Sequence, residues 1–464
     1  MNYQEFIDGK LTAALPTGLH DTDFDFHSSL FDMQVDLCTW ALRRGRAAIF
    51  ADTGLGKSRM QVSWAQQIAK HAGVNVMILA PLAVAQQTVE EGAKIGIIIN
   101  RCREPGDVKQ GINITNYDRI HKFDCKQFGA VVLDESSCIK HHTAKTLQLL
   151  MDLFAHCAYK LCATATPAPN DWTELGTHAE FLGVCTRTEM LSEFFVHDGG
   201  ETQTWRLKGH ARGAFWRWVA SWGAMIRKPS DLGYNDDAYA LPPMHVVDHL
   251  VGADEDAVKT DGMLFALEAS TMSERREAKK ASLDQRVAEC AQIVNASSDT
   301  WVIWCDFNAE ADALKAAIPG AVEIRGPDDA DLKEQRLMDF AAGKIRVLIT
   351  KASITGWGLN WQHCRNTAFV GVTDSFEAYY QAIRRFWRFG QTGEVYVHRF
   401  ASQLESAILK NLERKQSDAI KMGEQLAAET RDAVMSQIKG AIRTTNNYNA
   451  NKPVQAPAWL KTEI

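Results

Sequence analysis

The stretch Ala47–Ser58, AAIFADTGLGKS, constrains this chain more than any other. Ala47, Ala48, Ile49 and Phe50 form a short apolar run, the pattern of a buried strand. Ala51-Asp52-Thr53-Gly54-Leu55-Gly56-Lys57-Ser58 follows, and Met60 to Lys70 can continue as a helix. Strand, glycine-bearing loop, lysine, hydroxyl and helix stand in the order that phosphate binding requires. Gly54 and Gly56 let backbone N–H groups turn in around an anion, and the helix start adds partial positive charge. Thr53, Gly54, Leu55 and Gly56 are thus the expected cradle. Lys57 reaches the β- and γ-phosphates, and the Ser58 hydroxyl holds Mg²⁺. Ala51 stands where the pattern more often has glycine. A chance Gly-Lys turn is the bland alternative, and the flanking strand and helix weigh against it. The loop alone suits a kinase, a transport ATPase, a GTPase or a motor.

Composition narrows this a little. The chain has 464 residues, 46% of them hydrophobic, enough for two or three packed domains. A formal net charge of −6 shows no overall basic signature, which disfavours a passive nucleic-acid coat but not a local basic cleft. The ten cysteines are scattered without a C-x-x-C pair, and His141-His142 has no cysteine at ligand spacing. Structural zinc is therefore not expected, and reduced thiols in a cytoplasmic setting are. MNYQEFIDGK lacks a basic start and an apolar core, so no signal peptide is expected. The apolar run near Val76–Ala85 is too short to span a bilayer, so no membrane association is expected.

Further elements follow in order. Leu30 to Leu42 has an amphipathic helix pattern that includes Gln34, a residue able to read adenine by paired amide hydrogen bonds or simply to face solvent. Val74–Ala80, Ile112–Tyr117, Phe128–Leu133 and Tyr159–Thr166 read as core strands, the first closed by a turn at Pro81-Leu82. The run to Leu133 leads straight into Asp134-Glu135-Ser136-Ser137. Asp134 can order a Mg²⁺ shell that Glu135 joins, and Glu135 can orient the attacking water. Strands alternating with helical stretches imply a parallel sheet with helices on both faces, binding ligands at the strands' carboxyl ends. Trp205, Trp216, Trp218 and Trp222 fall among Arg206, Lys208, Arg212 and Arg217. Such aromatics can stack on bases, but burial in a small helical core is the stronger reading because large rings gain most from buried area. Trp301–Cys305, Ala321–Ile324, Ile345–Ile349, Thr367–Val370 and Val395–Phe400 repeat the strand rhythm as a second parallel sheet without a phosphate loop.

The set Gln34, ADTGLGKS, DESS, Ala163-Thr164-Ala165-Thr166-Pro167 and Asn170 resembles the first motor domain of a superfamily 2 helicase. LFDMQVDLCTWALRRGRAAIFADTGLGKS is most similar to the Swi/Snf-type double-stranded DNA translocases. Met225–Val251 resembles that family's join, a short basic helix followed by an acidic loop, a Leu-Pro-Pro turn and a strand. KASITGWGLNW (351–361) and QAIRRFWRFGQTGEVYVHRF (381–400) resemble its last motifs. Ser136-Ser137 stands where the family has Ala-His, and Trp387 where it has His. The likeness spans about residues 28 to 405.

The resemblance implies two tandem RecA-like domains of the α/β class, each a parallel sheet with helices on both faces and small helical insertions. Residues 1–240 would be the ATP-binding domain, with an insertion near 185–228. Residues 241–445 would be the helicase domain, with an insertion near 253–298 and a charged helix bracing the two. Residues 446–464 read as a loose tail. The implied activity is ATP hydrolysis with Mg²⁺. Arg385 and Arg388, three apart on one side of a helix, would neutralise transition-state charge, and Gly358 would approach the nucleotide. Pro81, Asn116, Tyr117, Ser353, Thr355 and Asn360 would touch a nucleic-acid track, with double-stranded DNA favoured. Thr164, Thr166 and Gln381 would couple the sites. A strand-separating helicase on DNA or RNA and an ATP-dependent clamp or switch are the alternatives, and a protein partner for targeting is compatible with the chain's small size.

Overall fold

The computed structural model describes residues 14–20, 22–139, 145–168, 171–197, 205–252, 279–355, 360–371, 375–402 and 406–442. The first lobe holds strands β1 (Arg46–Ala51), β2 (Val76–Ala80), β3 (Ile99–Arg101), β4 (Ile112–Asn116), β5 (Ala130–Asp134) and β6 (Tyr159–Ala163). A small hairpin follows, β7 (Phe195–His197) with β8 (Trp205–Leu207), and then β9 (Gly223–Ile226). The sheet runs β3-β4-β2-β5-β6-β1-β9, with every pairing parallel. Central strands are buried on both faces, which is why they read as unbroken apolar runs. Their alternate residues feed two cores. Ala48, Phe50, Val131 and Leu133 enter one, and Ala47, Ile49, Ala130 and Val132 enter the other.

The second lobe holds β10 (Met244–Val251), β11 (Trp301–Trp304), β12 (Val322–Glu323), β13 (Val347–Thr350), β14 (Asn366–Phe369) and β15 (Val395–Ser402). They form a parallel sheet of order β10-β15-β14-β11-β13-β12. Two flanking cores again divide alternate positions: Val302 and Trp304 on one side, Trp301 and Ile303 on the other. The architecture is α/β with two parallel sheets flanked by helices, consistent with two RecA-like domains.

Three local expectations are corrected. Met225 belongs to β9, which pairs with β1, and not to a basic helix in the join; Gly223 packs so closely on the Phe50 ring that an added Cβ would lie 3.1 Å from it. Pro81 caps a helix (Leu82–Lys94) instead of opening a turn. The helix Phe376–Ile383 stops before Arg385 and Arg388, which therefore sit in the turns beyond it. The tryptophan segment does form a core. Trp216, Trp218 and Trp222 are buried, while Arg206 and Arg217 are exposed and Arg212 pairs with Glu429 (2.8 Å).

The last helix, Ser406–Ile442, is 37 residues long and so about 55 Å from end to end. Leu409 and Leu412 sit in a second-lobe core, whereas Ala427, Val434 and Ile438 sit in the cores of the first. The expected tail 446–464 and the larger part of the expected 253–298 insertion lie outside the described residues.

Candidate functional site

The phosphate loop leaves the carboxyl end of β1. Gly54 and Gly56 have φ of 96° and 83°, values that side-chain-bearing residues rarely adopt. Gly56 also abuts the Gln34 amide and caps the helix Lys57–Ala72. Lys57 Nζ donates to the carbonyls of Ala51 (2.8 Å) and Asp52 (3.3 Å). Burial lowers the Lys57 pKa against the pull of Glu135, Asp52 and Asp134.

Asp134 ends β5 beside this loop. Its Oδ1 accepts from Gln61 Nε2 (2.6 Å) and from the Glu135 backbone N–H (3.0 Å). Burial, and then the Glu135 charge, push its carboxyl up to about 6. Glu135 is held at φ 50°, a left-handed conformation unusual for a long side chain. Its Oε2 is buried without a hydrogen-bond partner.

The opposite wall comes from the second lobe. Gln381, Arg385, Arg388 and Asn360 line the same cleft, of about 280 Å³, as Gln34, Thr53, Lys57, Ser58, Asp134 and Glu135. Burial lowers the guanidinium pKa of Arg385 to about 9 and of Arg388 to about 10, each opposed by the Glu135 charge. The arginines thus feel the acid pair across the cleft. Gln381 Nε2 and Asn360 Oδ1 are buried without hydrogen-bond partners. Asn360 is therefore placed in the cleft, where the sequence reading put it on the track.

Gln34 accepts from Phe31 N (3.1 Å) and donates to the Leu55 carbonyl (2.9 Å), so it braces the loop with one N–H and one lone pair of its amide to spare. Asn116 is buried and accepts from Arg119 N, and the Tyr117 hydroxyl donates to the Asp134 carbonyl (2.6 Å). Both are spent inside the first lobe. Thr164 is buried and its hydroxyl accepts from Thr166 N (3.2 Å). Ser353 and Thr355 lie in the short helix Ala352–Thr355. Gly358 and Asn170 lie outside the described residues.

Several participants were not read from sequence. Ser136 shares a 3.1 Å hydrogen bond with buried His178, which stands edge-on to Phe50. Asp52 pairs with Arg384, 332 positions away, and no local pattern announces such a contact.

The acid pair fits a divalent cation: two buried carboxyls, one raised and one with an unsatisfied oxygen, close to a serine hydroxyl. Among the described residues no group of three or more His, Cys, Asp and Glu is arranged for a metal, so Ser58 and water would complete such a shell. Among the described residues no helix is long and apolar enough to cross a membrane. No curated protein matches the chain. The SNF2-related domain family matches residues 45–195, which run from β1 to β7 and contain the phosphate loop and the acid pair. On that match residues 45–195, about a third of the chain, carry an SNF2-related domain, the domain of Swi/Snf-type helicase-like ATPases.

Proposed function

We propose that this protein is a DNA-stimulated ATPase that translocates on double-stranded DNA. One observation carries the reading: Lys57, Asp134 and Glu135 of one lobe face Arg385 and Arg388 of the other across a single cleft. Lys57 and the Gly54–Gly56 backbone bind the β- and γ-phosphates of ATP, and Gln34 meets the base with its spare amide groups. Ser58, Asp134 and Glu135 would hold Mg²⁺, which when bound offsets phosphate charge. Glu135 orients the attacking water. Arg385 and Arg388 meet the charge that grows on the γ-phosphate, in a cleft where low dielectric strengthens them. Because the two halves of the site belong to different lobes, hydrolysis changes how the lobes sit together. Thr164 and Thr166 of the first lobe and Gln381 of the second would carry that change outward. Pro81, Ser353 and Thr355 would touch the track, and the lobes would divide near residue 240, between β9 and β10. Gripping a phosphate backbone with alternating closure gives stepping without sequence readout.

The test is ATPase rate with duplex DNA, single-stranded DNA and RNA, alongside displacement of a third strand from a DNA triplex. Duplex should stimulate most, and the third strand should come off. Equal or greater stimulation by single strands would overturn the duplex assignment, and ATP binding with little turnover even on saturating DNA would point to a clamp or switch.

A further inference from the structure

Asp52 occupies an unusual crossing point. It lies in the phosphate loop, and its backbone carbonyl accepts from Lys57 Nζ. Its carboxylate instead reaches the other lobe: Oδ1 accepts from the Tyr380 hydroxyl (2.8 Å) and Oδ2 from Arg384 Nη2 (3.0 Å). The Thr53 N–H also donates to Oδ1 (2.6 Å). The side chains of this ion pair are only 15% and 9% exposed, so water screens it little. Arg384 is fixed as firmly on its own side. Its Nε donates to the Tyr380 hydroxyl (3.1 Å) and its Nη1 to the Trp387 carbonyl (3.3 Å). Its guanidinium lies over the rings of Tyr380 (5.3 Å) and Trp387 (5.1 Å). Trp387 Nε1 in turn donates to the Pro242 carbonyl in the segment joining the lobes (2.8 Å).

We propose that Asp52, Tyr380 and Arg384 form a latch that docks the second lobe on the phosphate loop and so sets the reach of Arg385 and Arg388. Arg384 directly precedes Arg385, and Trp387 directly precedes Arg388, so fixing Arg384 and Trp387 fixes the two arginines that follow them. The same aspartate holds the lysine through its main chain and the arginine turn through its side chain. The two charged walls of the cleft are thereby registered to one residue. Arg384 and Tyr380 are positioning residues: they act through their neighbours on the nucleotide. The latch rests on the ATPase reading for its catalytic consequence but not for its existence.

The experiment uses Asp52→Asn, Arg384→Gln, Arg384→Lys and the double variant Asp52→Asn/Arg384→Gln of the full chain. Small-angle scattering reads lobe separation without nucleotide, and steady-state kinetics with a nucleotide-binding titration reads catalysis. Each neutralising single variant should widen the scattering envelope and lower kcat about tenfold, the middle of the range for coupled contacts. ATP affinity should change less than about threefold, because asparagine keeps the backbone carbonyl that Lys57 uses. Arg384→Lys keeps the charge and should recover part of kcat. The double variant should be no worse than either single one. Unchanged scattering and kcat in Arg384→Gln, or losses that multiply in the double variant, would overturn the latch. A wild-type chain that fails to hydrolyse ATP, yet opens on Arg384→Gln, would instead overturn the proposed function and support the latch.

Discussion

Arg385→Met separates catalysis from stability. Arg385 is 2% exposed, and its backbone carbonyl is held by Trp361 N (2.8 Å). Burial, and then the neighbouring Arg388 charge, outweigh the attraction of Glu135 and Asp134, and its pKa falls from 12.5 to about 9. At ~1.4 kcal/mol per pH unit, keeping that guanidinium charged costs the fold up to ~5 kcal/mol. Methionine fills much of the volume and carries no charge. It forfeits the arginine's charged hydrogen bonding, worth about 1.5–3 kcal/mol, and leaves Glu135 with one cation fewer. The balance still favours methionine, by ~1–3 kcal/mol, as for other buried ions replaced by apolar side chains. Each kcal/mol raises Tm by about 2–4 °C in lobes of this size. Turnover should meanwhile fall about a thousandfold, as when other ATPases lose such an arginine. Differential scanning calorimetry and an ATPase assay on one preparation check both halves. A lower Tm, or turnover that survives, would refute the claim that this charge is retained for chemistry at the expense of the fold.

Lys57→Ala and Glu135→Gln should each abolish turnover, but only the first should weaken binding of a fluorescent ATP analogue, since Glu135 acts on water. Ile438→Ala should destabilise by about 2–4 kcal/mol in urea titration, because Ile438 is 4% exposed in a first-lobe core. Burial lowers the pKa of His178 to about 4 from 6.5, so the unfolded chain binds the extra proton first. Its contribution is complete above pH 6.5 and lost as pH falls toward 4, with about 2 kcal/mol gone at pH 5. His178→Asn should remove that part of the difference between urea midpoints at pH 7 and pH 5.

Much of the architecture was open to reading because doubly covered strands must be apolar throughout, as Val131-Val132-Leu133 and Trp301-Val302-Ile303 are. The loop at 52–58 and the acids at 134–135 announce themselves because anion binding needs glycines and a lysine at short range. Two short strands did not announce themselves: Ile99–Arg101 and Gly223–Ile226 are too short to display a period and lack the dense β-branched run of their neighbours. The spacing of Arg385 and Arg388 suggested a helix, but the helix ends at Ile383 and a turn carries them, which places both guanidiniums in the cleft all the same. Asn360 was read by its neighbours in a motif, and packing turned it inward. The Asp52–Arg384 pair and the Ser136–His178 bond join residues far apart in the chain. They depend on how folded elements meet, which no local pattern encodes.

The lobes are connected twice, and the strength of each connection limits how the cleft can move. Residues 227–243 run from β9 to β10, and Pro242 is tied to Trp387. The helix Ser406–Ile442 leaves the second lobe and buries Val434 and Ile438 in the first, against the helix Asp32–Arg44 that carries Gln34. Pulling those two side chains into water costs ~3–6 kcal/mol. Breaking the Arg101–Glu334 and Asp52–Arg384 contacts frees charges that water then solvates, so each exchange costs far less than its Coulomb attraction. If the lobes part, as the proposed function requires, the ion pairs would yield first and the lobes would turn about the retained helix and linker, with the C-terminal helix as hinge and the cross-cleft pairs as catch.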